Sequence, residues 1–257
     1  MKKKWTGLFS LCMLMTSCSQ SEATVETEKE DNSDNIDQSA IGVESMAKRH
    51  IEANLQIPSN EKYTYKIFKA HLDGDDKMDA VIAVNRLEFA LNKASADGKT
   101  AKRAELGYMG NYNYLFYYDG GLNQISPNIP IPSSPKAPLN ILFEHVTSTA
   151  FKDIIVEYRI LNASYRDYFT VTNHTPRRVF SWKNFEGIND SEKEAFCFSY
   201  TDGTMGPSRD ILVKKASFQQ AQEESNVYTY IPKLIESDEV LHRFFYHPKM
   251  EKYVTKK

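Results

Sequence analysis

The spacing of apolar residues changes character several times along the chain. Trp5 to Met15 is one short, nearly unbroken apolar run behind Lys2-Lys3-Lys4, and Thr16-Ser17-Cys18 follows it. From Ser19 to Gln38 apolar residues almost vanish. From Ile41 to Leu55 they return at helical spacing. Val43, Met46, Ala47, Ile51 and Leu55 fall on one side, and Glu44, Lys48, Arg49 and Glu52 on the other. That pattern predicts an amphipathic helix, stopped by Pro58. Beyond Tyr63 the period falls to two, the signature of strands.

Tyr63, Tyr65 and Ile67 alternate with polar residues and lead into His71-Leu72-Asp73-Gly74-Asp75-Asp76-Lys77-Met78-Asp79. Ala80 to Val84 follows as a continuous β-branched run, the pattern of a strand buried on both faces. Asn85 to Glu105 is an Ala-, Lys- and Glu-rich excursion with helical content. Tyr108 to Tyr118 is an aromatic strand, with Tyr112, Tyr114, Phe116 and Tyr118 on one face and Leu115 and Tyr117 on the other. Asp119-Gly120-Gly121 turns it back into Leu122 to Ile125. Further strands are predicted at 139–146, 153–158, 165–172, 178–182, 195–200, 209–214 and 228–231. Asn173 to Pro176 and Asp202-Gly203 join hairpins. Phe218 to Glu224 forms a turn or two of helix. Ser237-Asp238-Glu239 resembles a helix N-terminus for a helix over 240–246, ended by Pro248. Many strands at hairpin spacing, with only a few helices, predict a mainly β or α+β fold: twisted antiparallel sheets with a few peripheral helices.

The N-terminal pattern sets the domain layout. A basic start, a short apolar core and small residues before a cysteine describe a secretory leader. The core is far shorter than the ~20 residues that span a bilayer. Met15-Thr16-Ser17-Cys18 resembles the lipobox of bacterial lipoproteins, with Met15 in place of the usual Leu. The resemblance implies cleavage before Cys18, a diacylglycerol on its sulfur and an acylated amine, palmitate among the chains. Two or more acyl chains hold a protein stably on a membrane. Residues 1–17 are then the signal peptide, 18–40 an acidic tether and 41–257 a single β-rich domain. Ser19 after Cys18 argues against inner-membrane retention. The tether carries seven acids against Lys29 alone. It is similar to export signals of Bacteroidota surface lipoproteins, and a plain solvated spacer reads equally well. The expected location is the outer membrane, facing the periplasm or the surface.

Charge and cysteine content narrow the function. Loss of Lys2, Lys3 and Lys4 leaves 29 of 32 basic residues against 34 acids, a net charge of −5 with no basic run. No nucleic-acid partner is expected. Of the three cysteines, Cys12 lies in the leader and Cys18 is the lipid site, so Cys197 has no disulfide partner. Its apolar neighbours assign it to packing.

The loop from His71 to Asp79 places oxygen-bearing side chains two residues apart around a glycine, as calcium loops do. It resembles the calcium loop of integrin-type FG-GAP and VCBS repeats, with Asp73, Asp75 and Asp79 at the third, fifth and ninth positions and Gly74 at the fourth. The resemblance implies Ca²⁺ on Asp73, Asp75 and Asp79. His71 stands where an acid is usual, and imidazole suits a hard cation poorly. An Asx-bonded turn without metal is the competing reading. Asp153 before Ile154-Ile155-Val156 and Asp210 before Ile211-Leu212-Val213 echo the pattern without an acidic loop ahead of them.

No HExxH, GxSxG, CxxC or nucleotide fingerprint is present. The expected function is a membrane-anchored, non-catalytic envelope module that binds or organises partners. A glycan-binding surface lipoprotein is the first alternative, because the flat rings of Tyr112, Tyr114 and Trp182 suit sugar faces; sheet packing is the competing and favoured role for these rings. A hydrolase assembled from distant residues is the second, and a His meeting two carboxylates in a pocket would mark it.

Overall fold

The computed structural model describes residues 38–96, 110–220 and 226–255, all within one compact unit. Cys18, the lipobox and the tether up to residue 37 lie outside the described residues, as do 97–109 and 221–225. No helix among the described residues is long and apolar enough to cross a membrane.

Among the described residues, two helices and thirteen strands run in the order α1 (Gln38–Asn54), β1 (Thr64–Ala70), β2 (Asp79–Asn85), α2 (Leu87–Ala96), β3 (Gly110–Asp119), β4 (Gln124–Ile125), β5 (Ile129–Ser133), β6 (Asn140–Glu144), β7 (Asp153–Ile160), β8 (Ala163–Thr172), β9 (Thr175–Glu186), β10 (Glu194–Thr201), β11 (Asp210–Phe218), β12 (Leu234–His247) and β13 (Lys252–Val254). Every pairing is antiparallel. The expected fold class is what the chain adopts.

The strands form three consecutive four-stranded meanders. The first is β1-β2-β3 plus a fourth strand made of β4 and β5, which pair with different stretches of β3. The second is β6 to β9 and the third β10 to β13. A short pairing of Phe185 and Glu186 with Ala195 and Glu194 fuses these two into one eight-stranded sheet.

The cores explain the stacking. An antiparallel sheet with two apolar faces must be covered on both. On the first meander, Val81, Leu115 and Tyr117 pack against Ile154, Val156, Phe169 and Val171 of the second. Its other face, Ala80, Ile82, Val84, Phe116 and Tyr118, is covered by Val43, Ala47 and Ile51 of α1. On the second meander, Ile155, Tyr168 and Phe180 pack against Ile211, Val213, Phe244 and Tyr253 of the third. β2 is thus buried on both faces, as its continuous apolar run predicts, and β3 divides its rings by face as expected.

Three expectations are corrected. The helix expected over 240–246 is part of β12. Its aromatic and β-branched residues fit a strand, and His242, Phe244 and Tyr246 face the interface with the second meander. Ser237 is no helix cap: its hydroxyl donates to Lys215 O and accepts from Glu239 N, within a bulge. The strand expected over 228–231 is a turn, and 218 ends β11 instead of opening a helix. Within the excursion from Asn85, Leu87–Ala96 is helical.

Candidate functional site

Each meander joins its first two strands by an eight-residue loop, and each loop is followed by a buried aspartate that opens the second strand. The loops are 71–78, 145–152 and 202–209, and the aspartates Asp79, Asp153 and Asp210, at most 1% exposed. Each carboxylate folds back on its own loop. Asp79 Oδ2 accepts Leu72 N at 2.9 Å. Asp153 Oδ2 accepts Val146 N at 3.0 Å and Thr147 N at 2.6 Å, and its Oδ1 accepts the Thr147 hydroxyl at 2.7 Å. Asp210 accepts Thr204 N at 3.2 Å and the Thr204 hydroxyl at 3.0 Å. Burial pushes the Asp79 and Asp153 carboxyls above the usual carboxylate range, against the pull of these donors.

The first residue of the loop closes it from the other side. His71 Nδ1 meets Lys77 O at 2.9 Å, and His145 Nδ1 meets Phe151 O at the same distance. A carbonyl only accepts, so both rings donate from Nδ1. The histidine that breaks the calcium pattern is therefore a loop-closing donor, used twice. The loops are also stitched to one another. Lys152 N donates to His71 O at 2.9 Å, Arg209 N to Val146 O at 2.8 Å, and the Ser208 hydroxyl to Thr147 O at 2.8 Å. The two sequence echoes at Asp153 and Asp210 are structural equivalents of Asp79.

Within the first loop, Asp73 Oδ1 accepts Asp75 N at 3.0 Å and Asp75 Oδ1 accepts Lys77 N at 2.7 Å, two successive Asx turns. Asp79 Oδ1 accepts Gly120 N at 2.9 Å, so both its oxygens are spent on backbone amides. The implied calcium set of Asp73, Asp75 and Asp79 does not converge. A different group does: Asp73, Asp119 and His174 bring one ligand atom each to within 4.8 Å of one another. They come from the first loop, the end of β3 and the β8–β9 turn.

His174 Nδ1 lies 2.6 Å from Asp119 Oδ2. Asp119 is buried, and its Oδ1 accepts Leu122 N at 2.7 Å. The buried Tyr117 hydroxyl donates to Asp73 Oδ2 at 3.2 Å. Burial, with Asp79, Asp73 and Asp119 around it, pushes that phenol far above its ordinary value. Asn173 and His174 have φ of 49° and 61°, which fits a tight two-residue hairpin turn. Gly120 and Gly121 permit the approach of the acidic loop. A Cβ on Gly120 would sit 2.3 Å from Met78 O, and one on Gly121 would sit 2.2 Å from Asp75 Oδ2.

In the sequence Asp119 and His174 stand out only as turn residues. They are 55 positions apart, and nothing local links them. The candidate glycan rings are corrected. Phe116 and Tyr118 are buried, Tyr114 packs beneath α1, and Tyr112 lies against Phe89 of α2. Trp182 is in another meander, stacked on Phe180 and edge-on to Phe196. These rings form no exposed planar row. A cleft of about 570 Å³ lies between the second and third loops, lined by His145, Thr149, Asp202 and Arg209 among others. No family model, no curated protein and no solved structure matches the chain.

Proposed function

We propose that this chain is a non-catalytic binding module of the bacterial envelope, anchored through an acylated Cys18, whose loop end is its recognition surface. One observation carries the reading. Three loops of equal length are pinned at their bases by buried carboxylates and joined edge to edge by backbone hydrogen bonds, while Asp76, Thr149 and Met205 at their crowns are exposed. A rigid scaffold that holds exposed loops in a row is the usual setting for recognition. Chemistry is less well served. His174 does meet two carboxylates, as a hydrolase would need, but its side chain is 55% exposed, and the two described clefts lie elsewhere.

The test is site-specific photocrosslinking of the full chain in its host. A photoreactive residue replaces Asp76, Thr149 or Met205 at the loop end, or Glu192 at the opposite end. Crosslinks to an envelope component from the first three, several-fold above the fourth, are expected. They should be lost when Cys18→Ala releases the chain from the membrane fraction. Equal yields from both ends, or membrane retention of Cys18→Ala, overturn the reading.

A further inference from the structure

We propose that Asp73, Asp119 and His174 form a site for a divalent transition-metal ion such as Zn²⁺, set between the first two meanders and distinct from a calcium loop. The donor set argues for this class. Two carboxylates and an imidazole suit zinc and its neighbours, whereas calcium asks for six to eight oxygens. The in-loop alternative is closed, because Asp79 is occupied by Leu72 N and Gly120 N.

Three further observations point to a cation. The donors are already oriented from behind. Leu122 N fixes Asp119 through the oxygen that does not face His174, and the Tyr117 hydroxyl holds Asp73. Such outer contacts are what tune metal ligands. The second is the cradle at Gly121. A Cβ there would also lie 3.4 Å from Asp119 Oδ1, so the missing side chain lets the Asp75 carboxylate reach the same corner. Asp75 thus adds a neighbouring carboxylate beside the three converging donors. The third is charge. Asp73, Asp75, Asp79 and Asp119 gather here, and among the described residues His174 is the one basic side chain in ion-pair contact with any of them. Like charges brought together this way call for a compensating cation. Asp73, Asp119 and His174 would hold the ion once the 2.6 Å hydrogen bond between His174 Nδ1 and Asp119 Oδ2 opens, with the proton it carries released to solvent. The proposal does not depend on the loop end being a recognition surface.

The test is calorimetric titration of the detergent-purified, chelator-stripped full chain with Zn²⁺ and, separately, Ca²⁺. The visible spectrum of the Co²⁺ form reports the ligand field. One Zn²⁺ per chain is expected, held about 100-fold more tightly than Ca²⁺. His174→Asn tolerates the left-handed turn and should weaken Zn²⁺ about tenfold or more, with loss of the Co²⁺ band. Asp119→Asn should do the same, and Asp76→Asn should change nothing. If Asp119→Asn disturbs folding, the exposed His174→Asn decides alone. Absence of stoichiometric Zn²⁺ binding, equal affinity for Ca²⁺, or unchanged Zn²⁺ affinity in a folded His174→Asn chain overturns the site. None of these outcomes bears on the crosslinking result.

Discussion

Asp153 shows what a single side chain does in this fold. It is buried, it accepts two amides and a hydroxyl, and burial raises its carboxyl above the ordinary range. A raised carboxyl means the folded chain keeps its proton to higher pH than the unfolded chain, whose value is ~3.9. The titration of Asp153 therefore adds stability that is fully present below the unfolded value and is lost as pH rises through the folded one. Asp153→Asn cannot titrate and supplies one acceptor oxygen instead of two. It should cost about 1–3 kcal/mol at neutral pH. The gap from the wild-type chain should be widest near pH 4 and shrink as pH rises, measured as urea unfolding at each pH. A gap that grows with pH would mean the amide donors outweigh burial. The acid itself is plain in the sequence, as an Asp before an apolar run. Its role is not, because the same letter at Asp73 makes an Asx turn and at Asp79 accepts from Gly120 in another segment. His71 misleads for the same reason. Judged against a metal pattern it is a defect, and only its bond to Lys77 O reveals a closing donor.

Among elements, β12 departs furthest from its local signals. Polar Ser237-Asp238-Glu239 before an apolar stretch reads as a helix start, yet tertiary pairing with β11 prevails. Between the Ala216–Glu236 and Lys214–Val240 pairs, β11 advances two residues and β12 advances four. Two residues are thus extra, and they make the bulge. β13 pairs with β12 at Phe245 to His247, so among the described residues β12 up to Phe244 has a side with no strand beside it, and Ile235, Val240 and Leu241 of this strand are exposed. Bulges and inserted charges are how proteins keep such edges from pairing with other chains. Removing Asp238 and Glu239 should straighten the strand and produce concentration-dependent self-association in sedimentation, while Asp238→Ala with Glu239→Ala at full length keeps the bulge and stays closer to the parent. If the deletion remains monomeric, the bulge has no protective role. The helix α1 and the strands β2 and β3 were readable because their periodicity and their burial agree. β12 was not, since its partner strand lies outside any local window.

At the scale of the molecule, the three meanders repeat a plan that the sequence conceals. Asp79, Asp153 and Asp210 stand 74 and 57 residues apart, and the loops before them share length but not composition. An irregular period and unrelated loops defeat a search for repeats, whereas the equal loop lengths and equivalent hydrogen bonds disclose it. The plan also fixes how the array holds together. The meanders are joined by shared cores: the first, covered by α1 on one face, shares its other face with the second, and the second shares its other face with the third. Separating them would expose Tyr117, Phe169, Tyr168 and Phe244 to water, at roughly 25 cal/mol per Å² of apolar surface. Repeat arrays owe their cooperativity to such interfaces. The array should therefore unfold in one transition despite its length. In a Trp5→Phe chain, Trp182 reports the interface of the second and third meanders, and far-UV circular dichroism reports all strands. Their urea midpoints should coincide. Ile82→Ala, buried beneath α1 in the first meander, should cost about 2–5 kcal/mol. It should move both midpoints together, although Trp182 belongs to another core cluster. A Trp182 transition that stays in place while the dichroism shifts would show that the first meander melts alone, and that the stitched loops do not bind the array into one cooperative body.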